Sequence, residues 1–291
     1  MPITPVIDHA VINVDEELDQ AQSLFQRMGF QLSTRGHHSM GSSNHLAIFA
    51  DNYLELLGYE PARQTDSRGL WNVAPGLAGL VWKTRDAHAV WRHLQQCQLD
   101  GEPPTRFFRP VILPDGSQTE ARFCISRIRA SALAYGFSFF CEHQTPQAVW
   151  QPAWQVHPNG VQALSAFVIA SPQPEETLAL YRQLFSTEAR AEDSGGYTEA
   201  RAEDSGGYVL DSGTCCLRII THQQASLEFA LPPVAAQAPA KMVALCFQVA
   251  SLERLRHCLS QGDIQWREQG RQVLVMQQQA QWLAMRFAEK A

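Results

Sequence analysis

One order of elements, a strand, an amphipathic helix and then three strands, passes four times along this 291-residue chain, and few folds accommodate such a pattern. The first pass opens with Pro5–Val14, a run of β-branched and apolar residues. Asp15–Gly29 reads as a helix: acidic residues open it, Leu18, Ala21, Leu24, Phe25 and Met28 recur at helical spacing, and Gly29 ends it. A strand is expected to begin at Phe30. After a polar loop over Arg35–Asn44, strands are expected at His45–Ala50 and, past the turn Asp51-Asn52, at Tyr53–Gly58.

The second pass predicts a strand at Leu77–Thr84, a helix over Asp86–Cys97 and strands at Arg106–Leu113, Gln118–Ile128 and Gly136–Glu142. The third begins at Val161–Ala170, with a helix over Pro174–Phe185 and strands near Tyr208–Leu210 and Cys215–Thr221. The fourth runs from Met242–Val249 through a helix at Ser251–Gln261 to strands near Ile264–Glu268, Arg271–Met276 and Gln281–Ala288. Pro61–Pro75 and Gln144–Gly160 read as connections, the second being the domain boundary. The expectation is therefore an α+β chain of two domains. Residues 1–150 hold βαβββ modules 1–59 and 76–143, and residues 151–291 hold modules 160–221 and 241–289.

A second kind of repeat lies inside the third pass. Thr187–Tyr197 is followed at once by an identical copy, Thr198–Tyr208, which indicates a recent in-frame duplication or an artefact of cloning rather than a solenoid period. One copy is expected to be extra. The first would extend the preceding helix or loop out, and the second would lead into the next strand.

Charge narrows the partners. A net charge of −6 without a basic patch argues against nucleic acid and anionic membranes, no apolar run is long enough for a membrane span, and Met1–Thr4 lacks a signal-peptide layout. The expectation is a cytoplasmic protein that binds a small molecule. Seven cysteines without a CxxC pair suit reduced, buried thiols.

Two polar residues then require explanation. His9 and Glu55 each stand in an apolar strand, and an isolated carboxylate there is costly unless it is paired, hydrogen-bonded or bound to a cation. They either hold a metal ion or bond each other across neighbouring strands without one. His38 and Asn44 lie in the polar loop, as substrate contacts or as ordinary loop residues, and Arg109 and Arg127 either bind a substrate carboxylate or stand on strand edges. His143 follows Glu142, so strand alternation allows only one of them into a shared site unless the strand ends there.

Asp8-His9-Ala10-Val11, Gly36-His37-His38 leading to Asn44, Tyr53-Leu54-Glu55-Leu56 and Pro114-Asp115-Gly116 carry a resemblance. So do Phe139-Phe140-Cys141-Glu142 and His157-Pro158-Asn159-Gly160. With the repeated module, they resemble the vicinal oxygen chelate superfamily, and within it the glyoxalase-like domain proteins, best over residues 5–170. The resemblance implies paired modules forming two open-barrel, cup-like domains, with metal ligands from first and last strands. His9, Glu55 and Glu142 match ligand positions, and Glu55 and Glu142 would also be the catalytic carboxylates. Gly79 stands where a fourth ligand would be, and Ser165 and Ala244 offer no replacement in the second half. The implied cofactor is a divalent metal ion or none. The implied functions are a metal-dependent lyase, isomerase or dioxygenase acting on a small oxygenated molecule, or a non-catalytic binding protein of the bleomycin-resistance type. The paired modules suit a monomer or a homodimer.

Overall fold

A computed structural model describes residues 3–59, 73–133, 135–185, 190–191 and 207–290. The first half contains β1 (Ile7–Asp15), α1 (Leu18–Arg27), β2 (Gly36–His37), β3 (Ser42–Ile48) and β4 (Tyr53–Tyr59). There follow β5 (Gly76–Thr84), α2 (Ala87–Gln96), β6 (Thr105–Ile112), β7 (Gln118–Arg127) and β8 (Phe137–His143). These eight strands form one sheet in the order β2-β3-β4-β1-β5-β8-β7-β6. Its two edges approach each other: Ser39 N–H donates to Phe108 O at 2.9 Å, and Phe108 N–H donates to Ser39 Oγ at 3.2 Å. A curved sheet whose edges meet in this way is the expected cup.

The second half repeats the plan with β9 (Val161–Ser171), α3 (Pro174–Phe185), β10 (Arg190–Ala191), β11 (Tyr208–Ser212) and β12 (Cys215–Thr221). After α4 (His222–Phe229) come β13 (Lys241–Val249), α5 (Leu252–Gln261), β14 (Arg267–Gln269), β15 (Gln272–Val275), α6 (Gln277–Ala280) and β16 (Ala284–Glu289). Its sheet order, β10-β11-β12-β9-β13-β16-β15-β14, matches that of the first. The chain is thus α+β with two glyoxalase-type cups.

Alternation along the strands separates two faces. On β1, Ala10, Ile12 and Val14 join α1, α2, α3, α5 and strands of both sheets in one core, where Phe30, Phe49, Phe247 and Phe287 cluster, while Val11 faces the cup. Phe30 opens no strand. Its ring belongs to that shared core, and Ser33 is tied to β3 by Ser33 N–H to Leu46 O at 2.8 Å and Leu46 N–H to Ser33 Oγ at 2.9 Å. The connection beyond β8 fastens the halves: His157 accepts from Gln31 N–H at 3.0 Å and donates to Ile48 O at 2.9 Å, and Asn159 donates to Met28 O at 3.0 Å.

The two cups differ in what fills them. α4 has no counterpart in the strand–helix–three-strand order, and its Ala225 and Phe229 pack into the second cup against Val168, Ile220 and Leu274. Between them Glu228 accepts from Arg218 Nη1 and Nη2 at 2.9 and 3.0 Å and from Arg286 Nη1 at 3.1 Å. Burial alone would raise the Glu228 carboxyl, but the two guanidiniums hold it below its ordinary value. The expectations for the duplicated segment fall largely outside the described residues; of the first copy only Arg190–Ala191 is described, paired with Val209 and Tyr208. No helix among the described residues is long and apolar enough to cross a membrane. All seven cysteines are free.

Candidate functional site

β1 and β4 run parallel, with His9 opposite Tyr53 and Val11 opposite Glu55. His9 and Glu55 therefore project from adjacent strands into the first cup, where they line a cavity of about 60 Å³. The His9 ring stacks on Tyr53, centroids 4.2 Å apart, and its Nε2 stands 3.5 Å from Glu55 Oε2. Behind it Asp8, fully buried, takes Nδ1–H of His9 on Oδ2 at 2.7 Å and Nε2–H of His143 on the same oxygen at 2.9 Å. Burial would raise the Asp8 carboxyl, yet the neighbouring imidazoles hold it well below the usual carboxylate range. A carboxylate only accepts, so Nδ1 of His9 carries a proton and Nε2 is the ring nitrogen that faces Glu55.

Glu55 is oriented from the other side. Asn44 on β3 donates from Nδ2 to Glu55 Oε1 at 2.7 Å and reaches His38 Nε2 at 3.3 Å. His38 in turn donates from Nδ1 to Ser42 Oγ at 2.7 Å. Burial pushes His38 down to about 4. An imidazole neutral in the folded chain and protonated in the unfolded one makes the unfolded state bind more protons between about pH 6.5 and 4, so stability rises with pH across that window. His38→Gln is expected to flatten this slope, which amounts to about 3 kcal/mol over the window. Urea unfolding of both proteins at pH 7 and pH 5 measures it.

Arg109 on β6 also lines the cavity and is only 3% exposed. Burial lowers its pKa, and its Nε has no hydrogen-bond partner among the described residues. Gly36 on β2 makes room for it: a Cβ there would lie 2.5 Å from Asn44 Oδ1 and 2.9 Å from Arg109 Cδ.

His9, Glu55, His38, Asn44 and Arg109 are thus brought together, while Glu142 and Arg127 are not. Glu142 lies on the opposite face of β8, where Oε2 accepts Ala87 N–H at 2.9 Å at the head of α2. Glu289 does the same for Leu252 N–H at 2.7 Å at the head of α5, so a last-strand glutamate anchors a helix in both halves. The cup face of β8 carries Phe137, Phe139 and Cys141, with His143 next to Asp8. Arg127 donates to Thr105 Oγ1 at 3.1 Å, outside the cavity lining. At Gly79 an added Cβ would stand 2.3 Å from the Phe137 ring and 2.9 Å from Val11 Cβ. Phe137 thus occupies the room a fourth ligand would need.

Four contributors are not among the expected site residues: Asp8, Tyr53, Cys141 and His143. The signal for the last two was strand parity, since a face holding Phe139 also holds 141 and 143. Asp8 adjoins His9 in sequence and would face the other way but for a register shift between Ile7 and His9 on β1.

The donor set fits a divalent cation in part. His9 Nε2 and Glu55 Oε2, 3.5 Å apart, are spaced much like adjacent ligands of one ion, which at bonds of about 2.1 Å stand about 3 Å apart. Oxygen and imidazole donors suit such an ion, and the remaining positions would be open to substrate. Asp8, Cys141 and His143 also bring donor atoms within 4.8 Å of one another, but Lys83 Nζ lies 3.6 Å from Asp8 Oδ1 and already supplies positive charge there. The Cys141 thiol is pushed well up by burial, which keeps it protonated.

A family model described as a glyoxalase-like domain matches residues 7–185. Among curated proteins none matches the chain in sequence. A solved structure of a hypothetical protein from Staphylococcus aureus is similar at 14% identity and a TM-score of 0.67, over 98% of this chain and 99% of that one. A mutant of 4-hydroxymandelate synthase from Streptomyces coelicolor is similar at 11% identity and a TM-score of 0.59, over 99% and 93%. A xylose isomerase-like TIM barrel/4-hydroxyphenylpyruvate dioxygenase fusion protein is similar at 13% identity and 0.56, over 99% of this chain and 49% of that one.

Proposed function

This chain belongs to the glyoxalase-like domain family of the vicinal oxygen chelate superfamily, and we propose that its first cup is a metal-assisted reactive centre for a small oxygenated molecule. The observation that carries this reading is His9 Nε2 set 3.5 Å from a Glu55 oxygen, with Asp8 and Asn44 fixing each from behind. A divalent ion held there by His9 and Glu55 would supply Lewis-acid polarisation of substrate oxygens. Asp8 sets the imidazole's tautomer and angle. Asn44 holds Oε1 of Glu55, leaving Oε2 to face the substrate space as ligand or proton acceptor. The aromatic wall of Phe107, Phe123, Phe137 and Phe139 excludes water from the same space. A Lewis acid so placed would serve lyase, isomerase or dioxygenase chemistry, and one similar fold, the fusion protein, carries a dioxygenase in its name.

A second reading, a binding protein without chemistry, is favoured by the outward turn of Glu142 and the ring over Gly79, which leave two donors where the family pattern implies four. Elemental analysis after dialysis against manganese, iron, zinc or nickel separates the two. The reactive centre predicts near-stoichiometric metal in the wild type and its loss in His9→Ala and Glu55→Ala. A wild type that stays metal-free after reconstitution overturns it in favour of the binding protein.

A further inference from the structure

The first cup contains a buried cation that no described residue pairs with by hydrogen bond or ion pair. Arg109 is 3% exposed, and among the described residues its Nε has no hydrogen-bond partner and its guanidinium no ion pair, Glu55 acting on it only from a distance. A guanidinium is a planar array of donors, and burying it unpaired is costly unless something outside the chain completes it. Glu55 does not do so: Asn44 holds one of its oxygens and His9 faces the other. The contrast with the second cup is direct, because there Arg218 and Arg286 both close on Glu228. A second polar atom waits beside Arg109. Asn44 Oδ1 is buried without a partner among the described residues, and both groups converge on the bare Cα of Gly36, where a Cβ would be 2.5 Å from Asn44 Oδ1 and 3.2 Å from Arg109 Nη1.

The remaining walls are flat and apolar. Phe107 stacks on Phe123 with centroids 5.1 Å apart, Phe137 on Phe139 at 6.0 Å, and Tyr53 lies beside them. A monocarboxylate brings one negative charge to the planar donors of that guanidinium, in a cup that already holds Glu55. A phosphate monoester, at nearly twice that charge, would leave the excess buried.

We propose that the molecule bound in the first cup is an aromatic or similarly flat apolar monocarboxylate, its carboxylate pairing side-on with the Arg109 guanidinium beside Asn44. Resting on the reading of this cup as the reactive centre, the proposal adds what the metal reading leaves open, the charge and shape of the substrate. The pairing orients the molecule, since two parallel N–H···O bonds fix both position and plane. Its apolar body then lies among the rings while its far oxygens face His9 and Glu55.

Benzoate, benzamide and phenyl phosphate share a ring and differ in charge, which makes them the probes. Each is titrated calorimetrically into the full chain, metal-loaded and chelator-stripped, and into Arg109→Gln, Arg109→Lys and His9→Ala. The expected result is benzoate binding at least tenfold tighter than benzamide or phenyl phosphate in the wild type, with or without metal. Arg109→Gln is expected to erase that ratio, Arg109→Lys to keep part of it, and His9→Ala to keep it while losing metal. Equal binding of benzoate and benzamide, tighter binding of phenyl phosphate, no saturable binding at millimolar concentrations, or a ratio surviving in Arg109→Gln overturns the proposal. Should Arg109→Gln fail to fold, the wild-type ratio and Arg109→Lys decide it. A metal-free wild type with the ratio intact sinks the metal reading alone, and a metal-loaded wild type without it sinks this one alone.

Discussion

Glu228→Ala is expected to destabilise the chain by about 3–5 kcal/mol, the cost of leaving buried cations without their counter-charge. Arg218 and Arg286 are each 4% exposed, and Glu228 bonds both while also accepting from Gln224 at 3.0 Å. Removing the carboxylate leaves two like charges facing each other in the second cup with α4 between them. The same carboxylate makes the stability acid-sensitive. Its folded pKa lies below its ordinary value, so its contribution is complete above about pH 4.5 and is lost as the pH falls through the folded value. Replacing the whole cluster, as Arg218→Met, Glu228→Leu and Arg286→Met together, is expected to recover most of the loss, because an apolar set of similar volume need not be paired. Urea midpoints of the wild type, the single and the triple variant measure this. A single variant within about 1 kcal/mol of the wild type would show that α4 can leave the cup at little cost.

Asp8→Asn is expected to weaken divalent-metal binding about 10- to 100-fold, though residue 8 touches no metal itself. The carboxylate fixes His9 from behind, and only an acceptor there holds a proton on Nδ1 and leaves Nε2 facing Glu55. An amide can turn its NH₂ toward either imidazole, and it gives up the charge that Lys83 approaches at 3.6 Å. Competition with a chromophoric chelator gives the affinity, and a melting curve on the same sample separates lost orientation from lost fold. An unchanged affinity in a folded variant would mean that His9 is positioned by its stack on Tyr53 instead.

The first-cup fold was legible because alternation, helical spacing and punctuation agree along the first two modules, from Val11 and Glu55 to Phe139. Where two forces competed, legibility failed. Phe30 has strand propensity, but the core between the sheets offers its ring more burial than a strand edge would. His222–Phe229 shows little helical amphipathicity, because its inward face carries Glu228 as well as Ala225 and Phe229, and only the two arginines make that face buriable. At the site, His9 and Glu55 could be picked out as polar groups in apolar strands and Arg109 as a candidate carboxylate binder, whereas Asn44, expected in a loop, stands on β3. Glu142 shared the signature of His9 and Glu55, but its apolar neighbours face the cup while its own carboxylate serves a helix end. The ring over Gly79 had no sequence signal at all, since it depends on Phe137 reaching across from β8, which pairs with β5.

The plug in the second cup has a consequence for how this chain bears mutation. A half that supplies its own counter-charge needs no guest to complete it, whereas the half that presents Arg109 gains stability from whatever it binds. The self-contained half is also the one that carries the eleven-residue duplication, entered from α3 and left into β11 at the far side of its sheet. The duplicated sequence thus belongs to the half whose cup is filled by α4, and the sequence of the half proposed to be reactive carries no such insertion.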